Sequence, residues 1–296
     1  MKILVIGKNG QLGKSIQNIS YSVNSNYDFT FIGRKELDLS NNNAIVDYLD
    51  NYAFDIIINC AAYNFVDKAE KEREAAVQIN HLAVKKIAEI ANKKKIILLH
   101  VSTDYVFDGN SEALYNEDDK TNAVNFYGKS KLAGEQAILL AMPFNALIIR
   151  TSWVYSEYSN NFVDTIFKLS KNRKEINVVD DQIGSPTYAG DLAMTIFQLI
   201  EDEKFHKNLN KTQIYHYSNL GNCSWFDFAK EITQLAKLNI VINPISSSNY
   251  PTAAVRPRNT LMSKDKISDV FDIQISDWQD SLKFCIKKIL SKKISK

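Results

Sequence analysis

Cysteine is scarce and scattered in this chain. Cys60, Cys223 and Cys285 are odd in number and lack C-x-x-C spacing, which argues against both a disulfide framework and a zinc site. The four histidines, His81, His100, His206 and His216, have no metal-ligand spacing and read as structural or surface groups. No apolar run approaches the roughly 20 residues that a membrane-spanning helix needs. Met1 leads within one residue into a strand-like run rather than a charged-then-apolar leader, so a cytoplasmic location away from membranes is expected. An excess of charge is also missing: the formal net charge of +2 gives no electrostatic case for nucleic acid. The basic clusters Lys93-Lys94-Lys95 and Lys292-Lys293 read as solvated helix ends. What is present is 296 residues, 45% hydrophobic and 24% charged, enough for one large α/β domain with a smaller companion and too few for three domains.

Lys2-Ile3-Leu4-Val5-Ile6 is a short apolar run suited to a strand buried on both faces of a parallel sheet. Gly7-Lys8-Asn9-Gly10-Gln11-Leu12-Gly13 follows at once, and then an amphipathic segment near Lys14 to Ile19. Strand, glycine turn and helix in that order let backbone approach a pyrophosphate, whose charge then sits at the helix N-terminus. Tyr27 to Ile32 reads as a second strand ending in Gly33-Arg34-Lys35-Glu36-Leu37-Asp38. An acidic residue near this point suits the ribose hydroxyls of NAD, and a basic one suits a 2′-phosphate. Arg34 comes first, so NADPH is expected, with Asp38 leaving NADH open.

Ser40 reads as the N-cap of a helix of about ten residues. Asp55 to Cys60 is a third strand, followed by small residues at Ala61-Ala62-Tyr63 that would let a cofactor lie close. Val66 to Asn92 carries apolar residues at helical spacing, and Ile96 to Val101 is a further strand. This alternation predicts a doubly wound parallel sheet of the Rossmann type. Beyond Ala146 to Ser152, the last clear strand, the pattern loosens. The expected division is residues 1–155 as the nucleotide-binding domain, completed by about 184–220. Residues 156–183 and 221–296 then form a smaller, discontinuous α/β domain.

Ligands of open α/β sheets bind outside the carboxyl ends of the strands. That places Thr103, in Ser102-Thr103-Asp104-Tyr105-Val106-Phe107-Asp108-Gly109, where its hydroxyl can meet a substrate carbonyl. A polar loop of roughly twenty residues then leads to Tyr127-Gly128-Lys129-Ser130-Lys131; loops that long in a compact domain are usually functional. On a helix, the phenol of Tyr127 and the ammonium of Lys131 leave the same face. A free tyrosine has a pKa of about 10, and a cation about 4 Å away favours phenolate by roughly 4 kcal/mol at an effective dielectric near 20. Lys131 is therefore expected to bring Tyr127 toward neutrality, where proton transfer is efficient. With 14 Tyr and 36 Lys plus Arg, one or two such spacings arise by chance, so the pair gains meaning from its company.

The G-x-x-G-x-x-G spacing resembles that of the extended branch of the short-chain dehydrogenase/reductase superfamily. Together with Asn59-Cys60-Ala61-Ala62-Tyr63, Val66-Asp67-Lys68-Ala69-Glu70, the Ser102 to Gly109 run, Tyr127 to Lys131 and Arg150-Thr151-Ser152-Trp153, it resembles the dTDP-4-dehydrorhamnose reductase family. Asp181-Gln182-x-Gly184-x-Pro186-Thr187 and Arg256-Pro257-x-Asn259 extend the likeness over nearly the whole chain. The resemblance implies hydride transfer from NADPH, or NADH, to C4 of dTDP-4-dehydro-L-rhamnose. Thr103 would bond the C4 oxygen, Tyr127 would donate the proton, and Lys131 would lower the phenol pKa and hold the nicotinamide ribose. It assigns the cofactor to Gly7, Asn9, Gly10, Gln11, Leu12, Gly13, Arg34, Asp38, Leu39, Ala61, Ala62 and Tyr63, with Tyr127 and Lys131. Asp104, Tyr105, Trp153 and Arg256 join Thr103 and Tyr127 around the sugar nucleotide.

One departure concerns metal. Family members that bind Mg²⁺ between subunits carry a glutamate two residues after the third loop glycine, and Ser15 stands there. No metal is expected, and a homodimer is left open. Two other readings remain: a non-catalytic regulator resembling that of methionine adenosyltransferase, and a related dTDP-6-deoxyhexose reductase or epimerase.

Overall fold

The computed structural model describes residues 1–22, 27–158 and 160–294; the side chains of His206 and Lys293, read above from sequence, lie outside the described set. In chain order come β1 (Lys2–Ile6), α1 (Gln11–Ser22), β2 (Asp28–Ile32), α2 (Asn42–Asn51), β3 (Ile56–Asn59), α3 (Val66–Ala69), α4 (Arg73–Val77), α5 (Ala83–Lys94) and β4 (Ile97–Thr103). They are followed by α6 (Phe126–Ala141), β5 (Ala146–Thr151), β6 (Val154–Tyr155), α7 (Phe162–Leu169), β7 (Glu175–Val179), β8 (Ile183–Gly184), β9 (Thr187–Tyr188) and α8 (Ala189–Glu201). The chain closes with α9 (Glu203–Asn208), β10 (Gln213–His216), β11 (Cys223–Ser224), α10 (Trp225–Leu235), β12 (Val241–Ile245), α11 (Asp265–Phe271) and α12 (Trp278–Ile294).

Six strands form one parallel sheet in the order β10-β5-β4-β3-β1-β2. Strand residues alternate between its faces, as the two-residue period of a strand requires. Ile3, Val5, Ile56, Ile58, Leu99, Leu147 and Ile149 join one core with residues of α1, α8 and α11. Leu4, Ile6, Ile57, Leu98 and Ile148 join the other with residues of α2, α5 and α6. Both faces are covered, which is why the strands are apolar along their whole length. The chain reverses direction across the sheet between β1 and β3, so the crevice of the topological switch opens at their carboxyl ends.

A third core gathers Tyr155, Val163, Phe167, Ile176, Phe228 and Trp278 with other residues of α7, β7, α10 and α12. β7 pairs in parallel with β12 apart from the large sheet. α11 behaves differently from its neighbours in sequence. Ile267, Phe271 and Ile273 pack into the first core with Tyr215 of β10, so this stretch contributes to the large sheet's side although the sequence grouped it with the smaller unit.

Two local expectations are corrected. The N-cap of α2 is Asn41, whose Oδ1 accepts from the amides of Asn43 and Ala44 at 3.0 and 3.2 Å; Ser40 lies one residue outside. In the span from Val66 to Asn92, read as apolar residues at helical spacing, α3 ends at Ala69, and from Arg73 to Lys94 the helix runs without interruption through a π-turn at Gln78–Leu82. Apolar periodicity does not report this π-turn, which holds a buried polar side chain. Asn80, 1% exposed, accepts from the Tyr63 amide at 2.8 Å and donates to the Tyr63 carbonyl and to Ser130 Oγ at 3.1 and 3.0 Å. A π-turn of this kind commonly sits beside a functional site.

α6 is fixed at three points. Asn125 caps it, its Oδ1 accepting from the Gly128 amide at 2.8 Å. A Cβ on Gly128 would lie 2.1 Å from the Tyr105 carbonyl oxygen, so glycine lets the first turn rest on the end of β4. Further along, Glu135 meets Arg150 of β5, with Nη2 2.8 Å from Oε2 and Nε 3.1 Å from Oε1, and accepts from Ser102 Oγ. Both charged groups are almost fully buried. Removing one partner of such a pair leaves an uncompensated buried charge, costing about 3–5 kcal/mol. Glu135→Ala is accordingly expected to lower unfolding free energy by about that amount in urea titration. A loss below about 1 kcal/mol would show that this pair does not anchor α6.

Candidate active site

β1 ends in a turn that only glycine permits. Gly7 has φ +101, and a Cβ there would lie 2.9 Å from the Ala61 nitrogen at the end of β3. A Cβ on Gly13 would lie 2.3 Å from the Gly7 carbonyl oxygen, so the first turn of α1 is pressed against the strand end. Gly7 and Lys8 donate their amides to the Ile32 carbonyl at 2.9 and 3.0 Å, and Gly10 donates to Gly7. The outcome is a bare backbone surface at a helix N-terminus, where the first amides have no intrahelical acceptor.

The other residues of the turn face the protein. Leu12 packs into the first core, and the Asn9 amide lies against Gly33. Gln11 donates to the Val154 carbonyl at 3.1 Å and accepts from Ser156 Oγ and Asn161 Nδ2, both at 2.8 Å. Its side chain therefore ties the turn to the smaller unit.

At the end of β2, Arg34 is 82% exposed and meets Asp38 at 3.4 Å. The Asp38 carboxylate accepts from the Ser40 amide at 2.9 Å, which, with Arg34, holds it below the usual carboxylate range. Glu36 is engaged by Lys8 and by the Gly33 amide, each at 2.8 Å. Leu39 sends its side chain into the core. On the β3 side, Ala61 donates to Asn59 Oδ1 at 3.1 Å. Beyond Ala62, the Tyr63 hydroxyl donates to Glu72 at 2.6 Å, and burial and this contact push its phenol up to about 12.

β4 delivers Thr103 to the same side of the sheet, because all its strands run parallel. Thr103 Oγ1 accepts from the Tyr105 amide at 3.2 Å, donates to Asp104 Oδ1 at 3.1 Å, and lies beside the Tyr127 hydroxyl. The Tyr105 and Tyr127 rings meet edge to face, 5.9 Å apart. Lys131 is 1% exposed; its Nζ donates to the Val101 carbonyl at 2.6 Å and lies 3.2 Å from His100 Nε2.

The electrostatics differ from the sequence expectation. Burial raises the Tyr127 phenol; the neighbouring Thr103 hydroxyl opposes the rise, and Asp104 and Tyr105 add to it. The same burial lowers Lys131 to about 8. Desolvation here outweighs the attraction between the two groups, and Nζ is directed at His100 and a carbonyl. The resting phenol is thus a proton-loaded acid.

A cleft of about 520 Å³ opens beside Tyr105 and Arg256 and runs along Phe162, Ile166, Val178 and Trp225, with Arg173 at its wall. Arg256 pairs with Asp67 at 2.5 Å and lies beside the Tyr105 phenol. Trp153, expected at the sugar, stacks on Trp225 at 3.6 Å and stands behind the wall that Trp225 forms. Trp225 and Arg173 were not among the residues expected at the sugar nucleotide. The capping box at Ser224 and Asp227 places Trp225 at the start of α10, but nothing local shows which way the indole points. Asp104, expected at the sugar, is 2% exposed and directs Oδ2 inward to Thr260 at 2.6 Å.

A glycine turn at a sheet switch point, with a Thr–Tyr–Lys set at the next strand's end, is the arrangement of the extended short-chain dehydrogenases/reductases. The family profile described as RmlD substrate binding domain matches residues 1–291, and the chain belongs to that family. It is 40% identical over 288 residues to a dTDP-4-dehydrorhamnose reductase of Aggregatibacter actinomycetemcomitans, covering 95% of this chain and 97% of that one. A dTDP-4-keto-6-deoxy-D-glucose reductase of Streptomyces niveus is 31% identical, with 94% of each covered. A crystal structure of dTDP-4-dehydrorhamnose reductase from Bacillus anthracis in complex with NADP superposes with TM-score 0.89 at 38% identity, over 97% of this chain and 99% of that one.

Burial raises the Asp104 carboxyl from 3.8 to about 6. A group whose folded pKa is raised contributes stability that is present below its unfolded pKa and lost as pH rises through the folded value. The window here is about pH 4 to 6, and two units correspond to about 3 kcal/mol at most. Asp104→Asn removes the buried charge, so its stability relative to wild type should improve by up to that amount between pH 4 and pH 7 in urea titrations. A pH-independent difference would show that the carboxylate is not strained.

Proposed function

We propose that this chain reduces the C4 ketone of dTDP-4-dehydro-L-rhamnose to dTDP-L-rhamnose with NADPH, in the cytoplasm. The observation that carries the reading is the gathering of Thr103, Tyr127 and Lys131 where β4 ends, with Lys131 bonded to the Val101 carbonyl, the Tyr127 ring edge-on to Tyr105, and Tyr105 and Arg256 bounding the neighbouring cleft. The turn from Gly7 to Gly13, packed against the strand ends too closely for a Cβ at either glycine, sets the first amides of α1 where they suit a pyrophosphate. Arg34 suits a 2′-phosphate because its guanidinium is exposed while Glu36 is neutralised by Lys8. NADH remains usable through Asp38. When bound, the nicotinamide supplies the hydride.

The chain's own residues perform orientation and proton transfer. Thr103 presents its hydroxyl to the C4 oxygen, and Tyr127 donates its proton as that oxygen becomes an alkoxide. A phenol kept protonated by burial suits reduction, which consumes a proton. Lys131 lies on the same face of α6 for the ribose hydroxyls and stabilises phenolate once the proton has left. The apolar wall at Phe162 and Trp225 suits the base, and Arg173 and Arg256 suit the diphosphate.

The Streptomyces relative gives a second reading of the same class: a different 4-keto-6-deoxy sugar on the same nucleotide. An intact Thr103, Tyr127 and Lys131 weighs against a purely regulatory role. Purified protein should consume NADPH faster than NADH when given dTDP-4-dehydro-L-rhamnose, read as absorbance loss, and NMR of the product should show the rhamno configuration. Tyr127→Phe is expected to lower kcat by about 100-fold or more, with cofactor affinity within a few fold. An unchanged kcat would remove Tyr127 from the mechanism.

A further inference from the structure

His100 is completely buried behind the site, and nothing in the mechanism above uses it. Its two ring nitrogens face two fixed partners. Nδ1 lies 3.2 Å from Asn59 Nδ2, and Nε2 lies 3.2 Å from Lys131 Nζ. The orientation of the Asn59 amide is set independently, because its Oδ1 accepts the Ala61 backbone N–H at 3.1 Å. The NH₂ of Asn59 must therefore point at Nδ1, and Nδ1 must accept. A neutral imidazole carries one proton, so that proton is on Nε2, aimed at Nζ.

An ammonium cannot accept a hydrogen bond, whereas an amine can. With Lys131 as an amine, the lone pair accepts from Nε2–H, one N–H serves the Val101 carbonyl at 2.6 Å, and one N–H is left over. With Lys131 as an ammonium, either two donors face each other at Nε2 or the Asn59 amide must turn its NH₂ against the Ala61 N–H. The other titratable groups around Nζ do not restore the balance. Cys60 at the end of β3 is held neutral, pushed up to about 12 by burial. Glu135 on α6 is matched by Arg150 from β5, and His100 itself is kept uncharged by burial.

We propose that His100, locked by Asn59 as the Nε2–H tautomer, is a positioning residue that holds Lys131 by donating to Nζ and biases it toward the neutral amine, setting the pH at which the lysine acquires charge. The role of that charge rests on the function proposed above; the tautomer and the lysine titration do not.

The test uses the full chain labelled with ¹⁵N and with ¹³C in lysine. Long-range ¹H–¹⁵N correlation should show His100 protonated at Nε2 and bare at Nδ1, and the ¹³Cε titration of Lys131 should give a depressed midpoint. Asn59→Asp keeps an acceptor for the Ala61 N–H but also presents one to Nδ1. It should switch His100 to Nδ1–H and raise the Lys131 midpoint by at least one pH unit. The alkaline limb of kcat/KM should move up with it. An Nδ1–H tautomer in the wild-type protein overturns the proposal, as does a tautomer switch that leaves the lysine midpoint in place. A midpoint that rises without a tautomer switch reflects only the added charge and overturns it too. Absence of turnover with the sugar nucleotide would count against the proposed function while leaving both NMR readouts to decide this point.

Discussion

The ion pair between Glu135 and Arg150 is the contact on which the placement of α6 depends. α6 carries Tyr127, Lys131 and Glu135 at four-residue intervals, on one face. Locking the third of these to β5, and through Ser102 to β4, fixes the azimuth of the other two over the end of β4. Such a pair is weak as a source of net stability, because desolvation offsets much of the attraction. Its value here is geometric: a guanidinium held at two oxygens admits one orientation of the helix. Gly128 and Gly134 allow that orientation by letting the Tyr105 and Asn80 carbonyls touch the helix backbone.

The same burial that provides rigidity sets the chemistry. Thr103, Asp104, His100 and Lys131 are each at most 5% exposed, so charge is expensive at every one of them. The phenol and the carboxyl of Asp104 move up while the lysine and histidine move down. Near neutral pH the phenol and the imidazole are thus uncharged, while Asp104 and Lys131 keep their charges but titrate closer to neutrality than they would in water.

Much of this was legible in the sequence. The apolar strand, the glycine spacing and the Ser102 to Gly109 run fixed the sheet, its carboxyl-end crevice and the strand that carries Thr103. Tyr127 and Lys131 were placed by a one-turn interval that needs no tertiary information. What sequence reading missed follows from contacts between distant segments. The π-turn in the long helix holds Asn80, which bonds a residue seventeen positions away, a contact that a local period cannot register. The stacking of Trp153 on Trp225 joins segments far apart in sequence, and so Trp153 was expected at the sugar where Trp225 lines the cleft. The direction of the Tyr127 shift was misjudged because a pairwise charge argument omits desolvation.

Gln11 draws a consequence from outside the chemistry. Its amide reaches across 145 residues of chain to Ser156 and further to Asn161, with donor and acceptor atoms both committed. The glycine turn and the residues Val154, Ser156 and Asn161 are consequently tied together as one piece. A hybrid that exchanged either half with a distant homologue would leave an amide stranded at the seam.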